Sequence, residues 1–439
     1  MPERKTIQSW LETAAAQIRW RRARPVLTRE LAQHLEDQRD AFAAEGQENA
    51  EALAVEEMGD PVAVGAELDR VHRPDPQWRP LAAALVLAAT GAVLRVWLTA
   101  GWSDRSADPV RSSLAVILGG IVLLTCYFLD FSALGRRPGA LYLGSLAVCL
   151  AAVAWGPEIA NVAYAARYAA LWLPAVYACW AFGRRRSGWS GLVLTAAGIL
   201  PPAAVCLLIP DTFGLLALLL TAALLLFSAA GCDWFGLGRR KTAWAALVFT
   251  AAAAAPMAAT FLRSRRLLVA LHPELDPLGR GYSALAVRRA LSAARWLGEG
   301  AETAPPIQAV PNAGSDAFLT TLICKLGWLP FLAVALTFAL LMAWLLHRRA
   351  RHQSQLGRAV VLAAAVALCL QALCSAAWSL GFTLLGGTFP LLVGNWNTVM
   401  DLGLLGLALS VFREERIARD APCSALPRWR VKVTIQRVS

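Results

Sequence analysis

Residues 213–231 read FGLLALLLTAALLLFSAAG, a run without a single ionisable side chain. A helix rises 1.5 Å per residue and the hydrocarbon core of a bilayer is about 30 Å thick, so about 20 such residues cross it. The run lacks the 3.6- or 2-residue period of an element buried on one side only, which sets it apart from the helices and strands of a soluble domain. Working outward, similar runs recur at 81–101, 112–131, 139–157, 164–182, 189–209, 242–262, 317–346, 358–386 and 389–412. Arg167 and Pro174 interrupt the fourth run in chain order, 164–182. The eighth, 317–346, is overlong and holds Lys325, which puts its start outside the hydrocarbon. The fold class predicted is therefore all-α: a polytopic membrane protein of about ten transmembrane helices.

The composition agrees. Hydrophobic residues make up 57% of the 439 and charged ones 16%, with a mean hydropathy of +0.49. A soluble domain has about 45–50% and about 25%. The net charge of +12 comes from 42 Lys and Arg against 30 Asp and Glu. Its distribution follows membrane topology and assigns no nucleic-acid partner. Of the 9 cysteines, Cys126, Cys149, Cys179, Cys206, Cys369 and Cys374 lie within apolar runs, and no CxxC occurs. Neither a disulfide framework nor a zinc site is implied.

Residues 1–75 are polar and read as a small cytosolic helical domain rather than a cleavable signal, whose apolar core would fall in the first 15–30 residues. Thr28 is expected to cap a helix carrying Leu31, Leu35 and Phe42 at helical spacing, ended by Gly46. A second helix runs from Asn49 to Met58, closed by Gly59, and Asp60-Pro61 opens a third. Glu30 and His34 lie four apart on one face, but with no further ligand nearby they read as a solvated surface rather than a metal site.

Orientation follows from Lys and Arg, which favour short cytoplasmic loops. Alternate loops carry Arg136-Arg137, Arg184-Arg185-Arg186, Arg239-Arg240-Lys241, and Arg348, Arg349, Arg351 and Arg358; Arg413, Arg416 and Arg419 continue the pattern into the basic tail, 416–439. The intervening short loops at Pro157-Glu158 and Pro210-Asp211 have no cation, and the first outer loop balances Arg105 and Arg111 against Asp104 and Asp108. Both termini are thus expected inside, which requires an even number of spans. The long loop 263–316, outside by this scheme, nevertheless holds Arg263, Arg265, Arg266, Arg280, Arg288, Arg289 and Arg295. Two readings stand: contact with lipid headgroups, or a site for an anionic lipid-linked substrate whose phosphate oxygens Arg binds in a bidentate way.

Several motifs carry a resemblance. Arg263 to Tyr282 reads RSRRLLVALHPELDPLGRGY, with Arg263, Arg266, Pro273, Asp276, Pro277, Gly279, Gly281 and Tyr282 in register with a known loop signature. Leu297-Gly298-Glu299-Gly300, then Val310 to Phe318 (VPNAGSDAF), then Leu326-Gly327 follow at the corresponding spacing. Phe128-Leu129-Asp130-Phe131, Ile209-Pro210-Asp211 and Gly387-Thr388-Phe389-Pro390 add shorter marks. Residues 80–415 resemble the FtsW/RodA/SpoVE (SEDS) family of bacterial cell-shape, division and sporulation proteins. The first 75 residues resemble the prefix domain found ahead of many bacterial permease-like proteins, and the expectation for this chain is a cytosolic regulatory handle bound by a soluble partner. Departures stand beside the matches. The family's Q-P-S-E-x-x-K element is Leu173-Pro174-Ala175-Val176 followed by Cys179 in the lysine's place, its paired glutamates are Cys324-Lys325, and its I-S-Y-G-G-S-S run is Leu392 to Thr398.

The resemblance implies polymerisation of lipid II into glycan strands at the outer face of the bacterial cytoplasmic membrane, beside a class B penicillin-binding transpeptidase. An acceptor hydroxyl must lose its proton to a nearby carboxylate, and cations must meet the departing undecaprenyl diphosphate. Asp316 matches the family's essential aspartate and becomes the expected base. By spacing alone, Ser315-Asp316 ahead of an apolar run reads as a helix cap. Arg263, Arg266 and Arg280 are the expected diphosphate contacts, with Asp276 and Tyr282 in the same signature; Asp276 also suits a loop-shaping role. Asp211 reads as a substrate contact or as a turn residue, and Asn395 to Asn397 as cavity lining or as a turn. A divalent cation at the diphosphate is compatible with the chemistry, though no carboxylate cluster with metal-site spacing appears. The lost lysine and glutamates keep two alternatives open: a catalytically degenerate lipid II-binding scaffold, and a transporter of a lipid-linked precursor.

Overall fold

The computed structural model describes residues 6–100, 108–156, 158–159, 162–300, 307 and 310–415. The charges expected on the first outer loop at Asp104 and Arg105, and those of the tail at Arg416 and Arg419, lie outside the described residues. The chain divides into two compact units, one formed by the residues up to Gln77 with a stretch from Phe412, the other by Trp78–Val411.

In the first unit, four helices, α1 (Ile7–Gln17), α2 (Arg24–Ala44), α3 (Ala50–Met58) and α4 (Pro61–His72), close on Trp10, Ala14, Leu31, Leu35, Ala54 and Val55. The Asp60 carboxylate accepts the N–H groups of Val62 at 3.2 Å and Ala63 at 3.3 Å, and Pro61 fills the first turn, where a missing N–H costs nothing. The expected Thr28 cap is corrected: α2 starts four residues earlier at Arg24, because Pro25 supplies the start signal. Asp69, 6% exposed, accepts the N–H of Arg19 at 2.8 Å and the guanidinium of Arg73, which joins the end of α1 to α4.

Among the described residues, the regular structure of the second unit is helical apart from a two-residue antiparallel pairing of Glu158–Ile159 with Val162–Ala163. Its first helices are α5 (Trp78–Leu98), α6 (Pro109–Phe128), α7 (Phe131–Arg136), α8 (Pro138–Trp155), α9 (Tyr164–Ala170), α10 (Leu173–Gly183), α11 (Gly188–Ala197) and α12 (Leu200–Leu208). Then follow α13 (Thr212–Gly231), α14 (Arg239–Arg263), α15 (Arg265–Leu271), α16 (Tyr282–Ser292), α17 (Phe318–Leu326), α18 (Trp328–Arg351), α19 (Gln355–Ser379) and α20 (Trp396–Arg413). Among the described residues, 8 helices are long and apolar enough to cross a membrane: α5, α6, α8, α11 with α12, α13, α14, α18 and α19. Of the ten expected spans, the remaining two correspond to the broken pair α9–α10 and to α20. The chain is a multi-pass membrane protein.

α19 runs through the core, packed by α10, α13 and α18, and every side chain from Ala359 to Leu368 is buried. Four expected spans change shape. The fourth breaks where Pro174 opens α10. The eighth breaks at Gly327, whose φ of +100° no L-residue adopts readily; a Cβ there would lie 2.6 Å from the Trp296 carbonyl oxygen. Lys325, ahead of that break, pairs with Glu299. The ninth stops at Ser379 rather than 386, and α20 starts at Trp396, so residues 380–395 form an irregular segment holding Gly381, Gly386, Gly387 and Pro390.

Candidate functional site

Two chain breaks and a short helix bring polar groups together. Arg167 lies on α9, with its side chain 38% exposed. Asp211 stands between α12 and α13; its side chain is fully buried and folds back over Gly214. Arg167 Nε lies 3.4 Å from Asp211 Oδ1. Burial pushes the Asp211 carboxyl above its ordinary range, and Arg167 is the strongest opposing influence.

Asp316 belongs to the turn before α17. The turn is held by main-chain bonds from Ser315 N to Asn312 O (2.9 Å), Ala317 N to Asn312 O (3.0 Å) and Phe318 N to Ser315 O (3.2 Å). Asn312 takes a φ of +54°, which Asn tolerates better than most residues. From within α17, Thr321 Oγ1 braces the turn by donating to Ala313 O at 2.7 Å, and Thr320 Oγ1 ties the helix to the end of α19 by donating to Ser379 O at 2.8 Å. A small apolar cluster of Val287, Ala290, Ile307, Val310, Ala313 and Ala317 lies beneath it, so the amphipathic α16 packs onto the turn.

The capping alternative for Asp316 fails. The N-cap of α17 is Ala317, and no side chain caps the helix. The Asp316 carboxylate instead accepts from Asn312 Nδ2 at 3.4 Å, while its main-chain oxygen accepts from Ser379 Oγ at 3.3 Å. Burial pushes its carboxyl above the ordinary value; Arg167, the larger of two opposing influences, and Asn312 pull the other way. The half-buried Asp316 carboxyl thus holds its proton more tightly than an exposed aspartate does, with the Arg167 charge favouring its ionised form.

The other expected site residues lie elsewhere on the loop. Arg263 ends α14 and Arg266 lies in α15, both with exposed side chains that make no hydrogen bond or ion pair with a described residue. Asp276 and Arg280 do come together, but through the main chain: Asp276 Oδ1 accepts from Gly279 N at 3.1 Å and Oδ2 from Arg280 N at 3.0 Å. Both carboxylate oxygens are thus used in shaping the turn, and the Arg280 side chain is exposed. Tyr282 opens α16 and is 45% exposed. No hydrogen bond or ion pair links any of these five to Asp316. Among the described residues, the cation whose charge acts on Asp316 is Arg167, which the hydropathy pattern shows only as an interruption of a span; an ionisable residue inside an apolar run is itself a signal of function.

Among the described residues, no three His, Cys, Asp or Glu side chains converge as a metal nest. Arg167, ion-paired with Asp211, also acts on Asp316 through its charge.

Residues 158–417 match the family model FTSW_RODA_SPOVE, described as Cell cycle protein. A protein of Idiomarina loihiensis named "Probable peptidoglycan glycosyltransferase FtsW" is 24% identical over 293 residues, 62% of this chain and 70% of that one. Among solved structures, a chain of the assembly reported as "Structural coordination of polymerization and crosslinking by a peptidoglycan synthase complex" aligns with a TM-score of 0.58 at 22% identity, covering 76% of this chain and 97% of that one. The rod shape determining protein RodA of Thermus thermophilus aligns with a TM-score of 0.52 at 19% identity, covering 78% and 97%. At these identities the two structures are likenesses of fold.

Proposed function

Because this chain belongs to the FtsW/RodA/SpoVE family of cell cycle proteins, we propose that it polymerises peptidoglycan glycan strands from lipid II at the outer face of the cytoplasmic membrane. The observation that carries this reading is the Asp316 carboxyl: half-buried, raised in proton affinity, uninvolved in capping and within the field of Arg167. The acceptor sugar's hydroxyl gives its proton to the Asp316 carboxylate as its oxygen attacks the anomeric carbon of the growing strand. The bond from that carbon to the diphosphate oxygen breaks, and undecaprenyl diphosphate leaves with the electron pair. Arg167, steadied by Asp211, has guanidinium donors to offer the developing negative charge. Arg263, Arg266 and Arg280, exposed on the same long loop, hold the diphosphate as it arrives, with Asp276 and Tyr282 of the same signature as further substrate contacts.

The name of the FtsW relative supports a glycosyltransferase. The peptidoglycan synthase assembly supports a class B penicillin-binding transpeptidase as partner. Residues 1–75 form a cytosolic regulatory domain for a soluble partner, with both termini inside and 416–439 a basic cytosolic tail.

A second reading, the non-catalytic lipid II-binding scaffold, is favoured by one observation. The family's charged element has become apolar packing: Val176 and Cys179 are 7% and 2% exposed within α10, which packs against α19. The experiment that separates the two supplies lipid II to the purified full chain with its cognate transpeptidase and reads strand length on gels. Polymer is expected; its absence with the partner present favours the scaffold.

A further inference from the structure

Arg95 on α5 is 3% exposed, and its guanidinium reaches main-chain oxygens from two loops far apart in sequence. Nε donates to Gly314 O at 2.6 Å, and Nη1 to Val393 O at 3.0 Å and, more weakly, to Gly394 O at 3.5 Å. Among the described residues, these three carbonyls have no other donor. Gly314 stands two residues before Asp316; Val393 and Gly394 lie in the irregular segment between α19 and α20.

The helix surface beside Arg95 is shaped for that segment. Gly91, one turn earlier on the same face, carries no Cβ, and one built there would lie 2.0 Å from Leu392 O. The main chain of α5 therefore approaches the loop directly, and Arg95 reaches past it to the Asp316 turn. On its other side the segment is fixed by Gln371, whose Nε2 donates to Thr388 O and to Asp401 Oδ2, both at 3.2 Å. One segment is thus anchored to α19 and α20, and Arg95 ties the turn that carries Asp316 to it. Burying a guanidinium in a membrane domain is costly, and buried carbonyls left without a donor are costly too, so the arrangement holds only while each satisfies the other.

We propose that Arg95 is a positioning residue, setting the Asp316 turn against the 388–394 segment; the proposal rests on the general-base reading of Asp316 given above. A planar fork holds carbonyls in fixed directions, whereas a lysine ammonium is a single point charge on a flexible stem. A misplacement of about 1 Å in a reacting group can cost about 10²-fold in rate.

The test uses the full chain with its cognate transpeptidase and lipid II, as wild type, Arg95→Gln and Arg95→Lys. Each preparation is measured for kcat, for KM and for amide exchange at 311–317 and 389–395, with α13 as the reference. Arg95→Gln is expected to lower kcat by about 10- to 100-fold with KM within about threefold, the signature of a displaced catalytic group rather than lost binding. Exchange should quicken at both segments and stay unchanged in α13, and Arg95→Lys should recover part of both losses. Where Arg95→Gln yields no folded protein, the partial effects of Arg95→Lys carry the test. Unchanged exchange at the two segments, or quickened exchange with kcat intact, overturns the proposal. Loosening that spreads equally into α13 also overturns it, since Arg95 is then a general stabiliser. A wild type that does not polymerise refutes the general-base reading instead, and coupled loosening of the two segments still decides whether Arg95 joins them.

Discussion

Asp316→Asn separates chemistry from architecture at this site. Asn is nearly isosteric and its Oδ1 still accepts from Asn312, so the 3.4 Å side-chain bond survives, as do the main-chain bonds of the turn. The carboxylate caps nothing in α17, so no cap is lost. On the structural side the change is therefore at most one altered neutral hydrogen bond, about 1 kcal/mol. Its sign leans toward stability. An acid held above its ordinary pKa by burial binds its proton more tightly folded than unfolded, so its ionised form works against folding once the pH exceeds the unfolded value. An amide removes that opposition. On the chemical side the loss is large: general-base help is worth about 10²–10⁴ in rate, about 2.7–5.5 kcal/mol of transition-state stabilisation. The assay is strand synthesis from lipid II with the cognate transpeptidase, run beside a thermal melt of the same preparation. A fall in kcat of at least about 10² with an unchanged or slightly raised Tm is expected. Equal strand synthesis by wild type and variant would refute the assignment, and a change confined to KM would make Asp316 a binding residue.

Three further outcomes are expected. Arg167→Gln removes the cation that favours ionised Asp316, so the carboxyl holds its proton to higher pH and the acid limb of the kcat/KM profile moves up; a limb that stays put or moves down removes Arg167 from the site. The fragment 1–75 should fold alone and lose stability in acid. Although burial alone would raise the Asp69 carboxyl, the Arg19 N–H and Arg73 outweigh it and hold it below the usual range. A lowered folded pKa gives stability that is present above the unfolded value and lost as pH falls through the folded one, so Asp69→Asn should flatten the acid side of a circular-dichroism stability curve; a fragment without a cooperative melt would sink the domain assignment. Reporter fusions after Arg186 and Arg349 should report cytoplasm and one near Gly300 the outside; a cytoplasmic signal near Gly300 would refute the orientation and the outer-face site together.

What could be read from the sequence divides along physical lines. The long spans were legible because a bilayer demands an unbroken apolar run, and that demand leaves a pattern no soluble fold shares. Interruptions were less so, since hydropathy measures transfer from water and is blind to backbone angle. The run 317–346 gives no hint in its apolarity that Gly327 turns the chain at a φ of +100°. The apolar residues 380–386 extended a span that the structure ends at Ser379. Asp316 was legible as a candidate because its motif fixes a register, but Arg167 and Arg95 were not, because one sequence does not say toward which neighbour an arginine turns. The misfits were nevertheless the clue. Non-helical backbone at membrane depth is tolerated only where protein buries it or a cavity needs it. Arg167 lies in the span that Pro174 breaks, Asp211 stands between two spans, Asp316 lies in the turn ahead of the short helix that Gly327 closes, and Arg95 binds the segment that parts α19 from α20. Places where the hydropathy pattern broke down are where these four charged side chains stand, and a functional site is the most direct reason for a membrane protein to keep charge there.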